Sequence, residues 1–172
     1  MKKFKRLLLL VAIAGVFTFL VRSYVLEGVY IASSSMEPTL QVKTSYFLEK
    51  ITLLFTPPRR GDIVVFPSPI EPEKDLVKRV IAVGGDKLQL KNKQVFLNGQ
   101  LLEERYVEHT RSGETLEGDI VGPMEIPPGT VFVMGDNRDE SGDSRDWLDG
   151  KTKEHMYFVP VENIKGRLIL FF

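Results

Sequence analysis

Three clusters in this 172-residue chain carry groups able to do covalent chemistry. The first is Ser33-Ser34-Ser35-Met36-Glu37-Pro38-Thr39-Leu40. Any of its three adjacent hydroxyls could attack a carbonyl if a nearby base removed its proton. Serine and proline are also ordinary turn formers, so on its own the run reads equally as a polar turn. The second is Leu76-Val77-Lys78-Arg79-Val80-Ile81, where strand alternation puts Lys78 on the face of Leu76 and Val80. A lysine with the ordinary pKa of ~10.4 is neutral in only about 0.04% of molecules at pH 7. A general base needs a value nearer 7 or 8. Apolar neighbours and lost hydration push a lysine that way, at a cost of about 4 kcal/mol. A rim lysine reaching water is the ordinary alternative.

The third cluster runs from Gly135-Asp136-Asn137-Arg138-Asp139-Glu140-Ser141 to Gly142-Asp143-Ser144-Arg145-Asp146-Trp147. Its acidic density suggests calcium, but the EF-hand pattern fails. Counted from Asp139, the sixth position is Ser144, not glycine, and the twelfth is Gly150, not glutamate. Interleaved aspartate and arginine fit an ion-pair network better. A solvated charged loop is the plain alternative. The two histidines, His109 and His155, lie in polar surroundings with no partner pattern, so a Ser-His-Asp triad is disfavoured. The absence of cysteine removes disulfides, thiolate metal sites and cysteine nucleophiles together. Equal numbers of basic and acidic residues, 23 each, argue against a nucleic-acid partner.

The elements that must position these groups follow from periodicity. Lys2, Lys3, Lys5 and Arg6 precede an uncharged apolar run over residues 7–21, closed by Arg22. No pair of small residues at cleavage spacing follows it, so it reads as a retained membrane anchor, not a removed leader. Basic flanking residues place the N-terminus in the cytoplasm. The division is then a basic cytoplasmic segment at 1–6, an anchor at 7–22 and an extracytoplasmic β-rich domain at 23–172. Strands are predicted at 62–66, 76–83, 131–134 and 164–172. A meander is predicted over 87–102, with Asn98-Gly99 as a hairpin turn. Residues 103–123 show no period and read as an irregular excursion. No soluble segment carries a long helical pattern.

Together these boxes resemble the bacterial type I signal peptidases. The likeness runs from the anchor through Ser35-Met36-Glu37-Pro38-Thr39-Leu40 and Arg60-Gly61-Asp62-Ile63-Val64-Val65-Phe66. It continues through Lys78-Arg79-Val80-Ile81, Gly85-Asp86, Leu97-Asn98-Gly99, the 135–145 box and Val159-Pro160-Val161-Glu162-Asn163-Ile164-Lys165-Gly166-Arg167. Each box is weak alone, and their joint order is specific. The resemblance implies a mainly antiparallel β domain, an apolar surface meeting the bilayer, no cofactor and no metal. It implies Ser35 as nucleophile and Lys78 as base. Ser33 and the Ser35 N–H would form the oxyanion hole, and Ser141 would orient the lysine. Arg79 with Asp136, and Asp143 with Arg145, match structural ion pairs. Ile31, Met36, Leu40, Leu76 and Val77 match positions near substrate pockets.

The implied partners are secretory precursors with Ala-X-Ala-like sites and a lipid bilayer. The implied location is the bacterial cytoplasmic membrane, with a single-pass monomeric chain. Two departures stand out. Ala32-Ser33-Ser34 replaces a common Pro-Ser-Gly, and Ala82-Val83-Gly84-Gly85 replaces a frequent Gly-Leu-Pro-Gly. Two other readings remain open at this point. One is a different serine-lysine peptidase, of the self-cleaving repressor or conjugation-processing kind. The other is an anchored, non-catalytic β module.

Overall fold

The computed structural model describes residues 2–170. Helix α1 spans Lys2–Tyr24, longer than the apolar run alone, because the flanking basic residues continue the turn. Its section Lys3–Arg22 is 20 residues long, and by length and composition it can cross a membrane. One residue separates α1 from strand β1 (Leu26–Tyr30). That residue, Val25, is tied both ways: its N–H donates to Val21 O at 2.8 Å, and its carbonyl accepts from Lys50 N at 3.1 Å.

The remaining strands are β2 (Ser45–Glu49), β3 (Ile63–Pro67), β4 (Asp75–Val83), β5 (Lys87–Lys91), β6 (Gln94–Leu97), β7 (Gln100–Leu101), β8 (Val121–Glu125), β9 (Thr130–Met134), β10 (Val159–Pro160) and β11 (Gly166–Ile169). They form a seven-stranded sheet of order β1-β2-β11-β3-β4-β9-β10 and a four-stranded sheet of order β7-β6-β5-β8. Every strand pairing is antiparallel. The architecture is therefore mainly antiparallel β behind one apolar N-terminal helix.

Period-2 alternation builds the core. In β3, Val64 and Phe66 face one cluster with Val80, Val131, Val133 and Trp147. Ile63 and Val65 face another with Ile31, Met36, Leu40 and Leu168. Both faces of β3 are buried, so its sequence is continuously apolar. Phe132 and Met134 of β9 turn the other way and join Ile81, Leu88 and Leu90, packing the small sheet onto the large one.

The meander forms as predicted. Asn92-Lys93 and Asn98-Gly99 make its two tight turns, with φ values of 49°, 68°, 53° and 82°. Four strands were not predicted: β1, β2, β8 and β10. The last predicted strand starts later than expected, at Gly166, because Ile164 caps the 3₁₀ turn Val161–Asn163 that precedes it. Residues 171 and 172 of that expectation lie outside the described residues.

Candidate active site

The serine run forms a 3₁₀ turn, Ser34–Met36, after an extended Ser33 (φ −127°, ψ 158°). Ser34 needs no positive φ, so a serine serves at this position without backbone strain. Ser35 and Met36 are buried, whereas Ser33 is exposed. The Ser33 and Ser35 hydroxyl oxygens lie 3.3 Å apart. The turn is pinned from below, where Asn137 N donates to Ser35 O at 3.1 Å.

Lys78 is buried to 3% exposure on β4. It stands opposite Val64 on β3 and between Leu76 and Val80 along its own strand. Burial pulls its pKa from the ordinary 10.5 down to about 8. Asp143 and Asp146 oppose that pull and Arg145 adds to it. Ser33, Ser35 and Lys78 line one cavity of about 120 Å³ with Ile31, Met36, Leu76 and Val77. Tyr30, Ala32 and Asp75 complete the wall; sequence reasoning missed these three. Leu40 is fully buried in the cluster beneath and is not among the lining residues.

The Lys78 side chain makes no hydrogen bond or ion pair among the described residues, and the buried Ser141 Oγ also has no partner there. Gly135 explains how Ser141 comes close to the Ser35 backbone. A Cβ on Gly135 would collide with both Ser141 Oγ and Ser35 O. Sequence reasoning gave Gly135 no role beyond following the predicted strand and opening the acidic cluster. The signal was present in its place between a buried strand and the acidic box.

The acidic box is an ion-pair network. Arg79 grips Asp136 through Nε at 2.8 Å and Nη2 at 2.6 Å. Thr39 Oγ1 donates to the same carboxylate at 2.5 Å, which ties the segment after Ser35 to the strand that carries Lys78. Arg145 grips Asp143 at 2.8 and 2.9 Å, and Gly135 N donates to Asp143 at 3.0 Å. Burial raises the Asp143 carboxyl, but the Arg145 guanidinium outweighs it and holds the pKa below the ordinary range. Next to it, burial and the Asp143 charge push Asp146 up to about 6.

Neither histidine lines the cavity. His155 stacks on Tyr157 with ring centroids 4.7 Å apart. His109 is half-buried, with Nδ1 3.5 Å from Asp139 Oδ1.

This arrangement places a hydroxyl pair and a desolvated amine on the wall of one small cavity of mixed polar and apolar lining, which suits acyl transfer. The comparisons agree with that chemistry. Residues 4–172 match the family described as "Signal peptidase, peptidase S26". A signal peptidase I from Leptolyngbya laminosa is 38% identical over 160 residues, covering 88% of this chain and 71% of that one. Signal peptidase I P from Bacillus subtilis subsp. natto is 34% identical over 166 residues, covering 90% and 88%. The crystal structure of a signal peptidase I from Enterococcus faecalis V583 superposes with a TM-score of 0.50 at 28% identity, covering 66% of this chain and 98% of that one. The chain belongs to the signal peptidase family, peptidase S26, on its type I branch, and is a serine endopeptidase.

Proposed function

We propose that the chain removes signal peptides from secretory precursors, with Ser35 as nucleophile and Lys78 as general base. The observation that carries this reading is the burial of Lys78 in the cavity that Ser35 also lines. A lysine held near pKa 8 is neutral in about a tenth of molecules at pH 7, enough to accept a proton.

Ser35 Oγ attacks the scissile carbonyl while Lys78 Nζ takes its proton. The oxyanion is stabilised by the Ser35 N–H and the Ser33 hydroxyl. Lys78 returns the proton to the leaving amine, which leaves an acyl-enzyme. It then deprotonates a water molecule that releases the new carboxylate. Ser141 orients the lysine as the amine shifts toward Ser35, a movement consistent with looser hydrogen bonding before substrate arrives. The small cavity, walled on its apolar side by Ile31, Met36, Leu76 and Val77, supports selection of small-X-small sites. Residues 75–78 of β4 pair with β3 but not with β9, so an extended peptide can add along that edge.

The anchor at 7–22 crosses the bacterial cytoplasmic membrane once. Residues 1–6 lie in the cytoplasm, and the domain at 23–172 lies outside and works as a monomer. Lipid contact is supported by Leu54 and Phe55, 75% and 80% exposed, in the turn that shares a cleft with Tyr24 at the end of α1. The test is cleavage of a precursor by the full chain in detergent, with N-terminal sequencing of the product. Ser35→Ala and Lys78→Arg are expected to be inactive, because guanidinium stays charged near neutral pH. Full turnover by Ser35→Ala would sink the assignment.

A further inference from the structure

Lys78 sits where the sheet thins. Strand β9 pairs with β4 only from Arg79 onward, so Arg79 is the first residue of β4 held on both sides. Whatever fixes Arg79 therefore fixes the position of Lys78. Besides Asp136, its guanidinium donates to Gly61 O at 2.9 Å and lies 3.9 Å from the centroid of the Tyr106 ring. Tyr106 belongs to the aperiodic excursion between β7 and β8. Its hydroxyl donates to Glu104 Oε1 at 2.8 Å, and that oxygen also accepts from Arg138 Nη2 at 2.5 Å. Glu104 and Arg138 are 8% and 1% exposed, so this ion pair is shielded from solvent. The Arg138 carbonyl in turn accepts from Arg145 Nη2 at 2.7 Å. Two backbone bonds lay the excursion alongside the acidic box: Glu108 N to Asp136 O at 2.9 Å, and Arg138 N to Glu108 O at 3.0 Å.

We propose that Tyr106 is a positioning residue for peptide-bond cleavage. Its ring braces Arg79, and its hydroxyl joins Arg79 through Glu104 to Arg138. The strand bearing Lys78 and the loop bearing Ser141 thereby keep one fixed spacing. The inference rests on the Ser35–Lys78 reading. Small displacements of catalytic groups are costly, since about 1 Å can remove a hundredfold in rate.

The experiment measures kcat and KM for precursor cleavage by full-length chain in detergent, corrected for folded fraction. Tyr106→Phe keeps the ring and loses the hydroxyl; a three- to fivefold fall in kcat is expected. Tyr106→Leu loses both, and a fall of tenfold or more is expected. Glu104→Gln keeps the shape and weakens the tie, with a fall of at least threefold. KM stays within twofold throughout, because none of these side chains lines the cavity. Wild-type kcat in folded Glu104→Gln and Tyr106→Phe overturns the proposal, whether or not the leucine variant folds. So does a rise in KM without loss of kcat. Ser35→Ala is run in parallel: its activity would undo the dyad, a result separate from the Tyr106 series.

Discussion

Replacing Lys78 by methionine should abolish cleavage and yet make the protein more stable at neutral pH. The two side chains have similar length, so the substitution removes a buried ammonium while filling the same space. The native pKa of about 8 lies below the ordinary 10.5. At 1.36 kcal/mol per pH unit, that difference is a destabilisation of about 3 kcal/mol whenever the amine is charged in both states. The sign follows from proton counting. Between about pH 8 and 10.5 the unfolded chain binds the proton and the native one does not, so wild-type stability rises with pH across that window. The methionine variant lacks this dependence. It should therefore exceed wild type by about 3 kcal/mol at pH 7, or roughly 6–12 °C in Tm for a chain of this size. The gap should close by about pH 10.5. Thermal unfolding of both full-length proteins in the same detergent, at pH 7 and pH 10.5, measures it. A variant less stable than wild type at pH 7, or a gap that persists unchanged at pH 10.5, would refute the claim that Lys78 is held against its preferred charge state.

The same amine sets the activity profile: kcat/KM should climb about tenfold per pH unit below about pH 8 and level off above it, because only the neutral lysine accepts a proton. An acid limb centred near 6 would point to a different group. Gly135→Ala should reduce cleavage below about 1% and destabilise by about 1–3 kcal/mol, since the new methyl meets the Ser35 carbonyl and the Ser141 hydroxyl; circular-dichroism melts and precursor assays check both effects. His109→Ala and His155→Ala should keep cleavage within about twofold, as neither ring reaches the cavity; a hundredfold loss in either would demand a histidine mechanism.

Where the sequence was readable, local periodicity carried the information. The continuous apolar run Ile63-Val64-Val65-Phe66 and the Asn98-Gly99 turn each encode their own conformation. What escaped was settled by partners distant in the chain. β1 and β2 have exposed positions at Tyr30 and Phe47 that blur the alternation. β8 contains Pro123, which argues against a strand until β8 is seen at a sheet edge, where one missing N–H is tolerated. Residues 103–120 have no period because ion pairs, not buried alternation, order them. Glu104 meets Arg138, Lys93 Nζ donates to Arg111 O at 2.9 Å, and Arg111 N donates to Asp139 at 2.7 Å. The site was legible through its residue types, but three serines in a row are locally equivalent. Only the tertiary fold leaves Ser33 exposed, Ser34 half-buried and Ser35 buried.

The single residue between α1 and β1 also acts as a gauge. Eleven residues, 25 to 35, join the end of the helix to Ser35, a contour of at most about 40 Å even if drawn straight. The chain has no slack with which to reach further, because Val25 is bonded to both the helix and the neighbouring strand. If Ser35 attacks as proposed and the helix is embedded in lipid, that hydroxyl can sweep only a thin layer above the bilayer. A bond of suitable sequence beyond that layer is spared by distance alone. Altitude above the lipid becomes a second criterion of choice, independent of side-chain size. Lengthening the Val25 junction would raise that ceiling without altering any atom of the cavity.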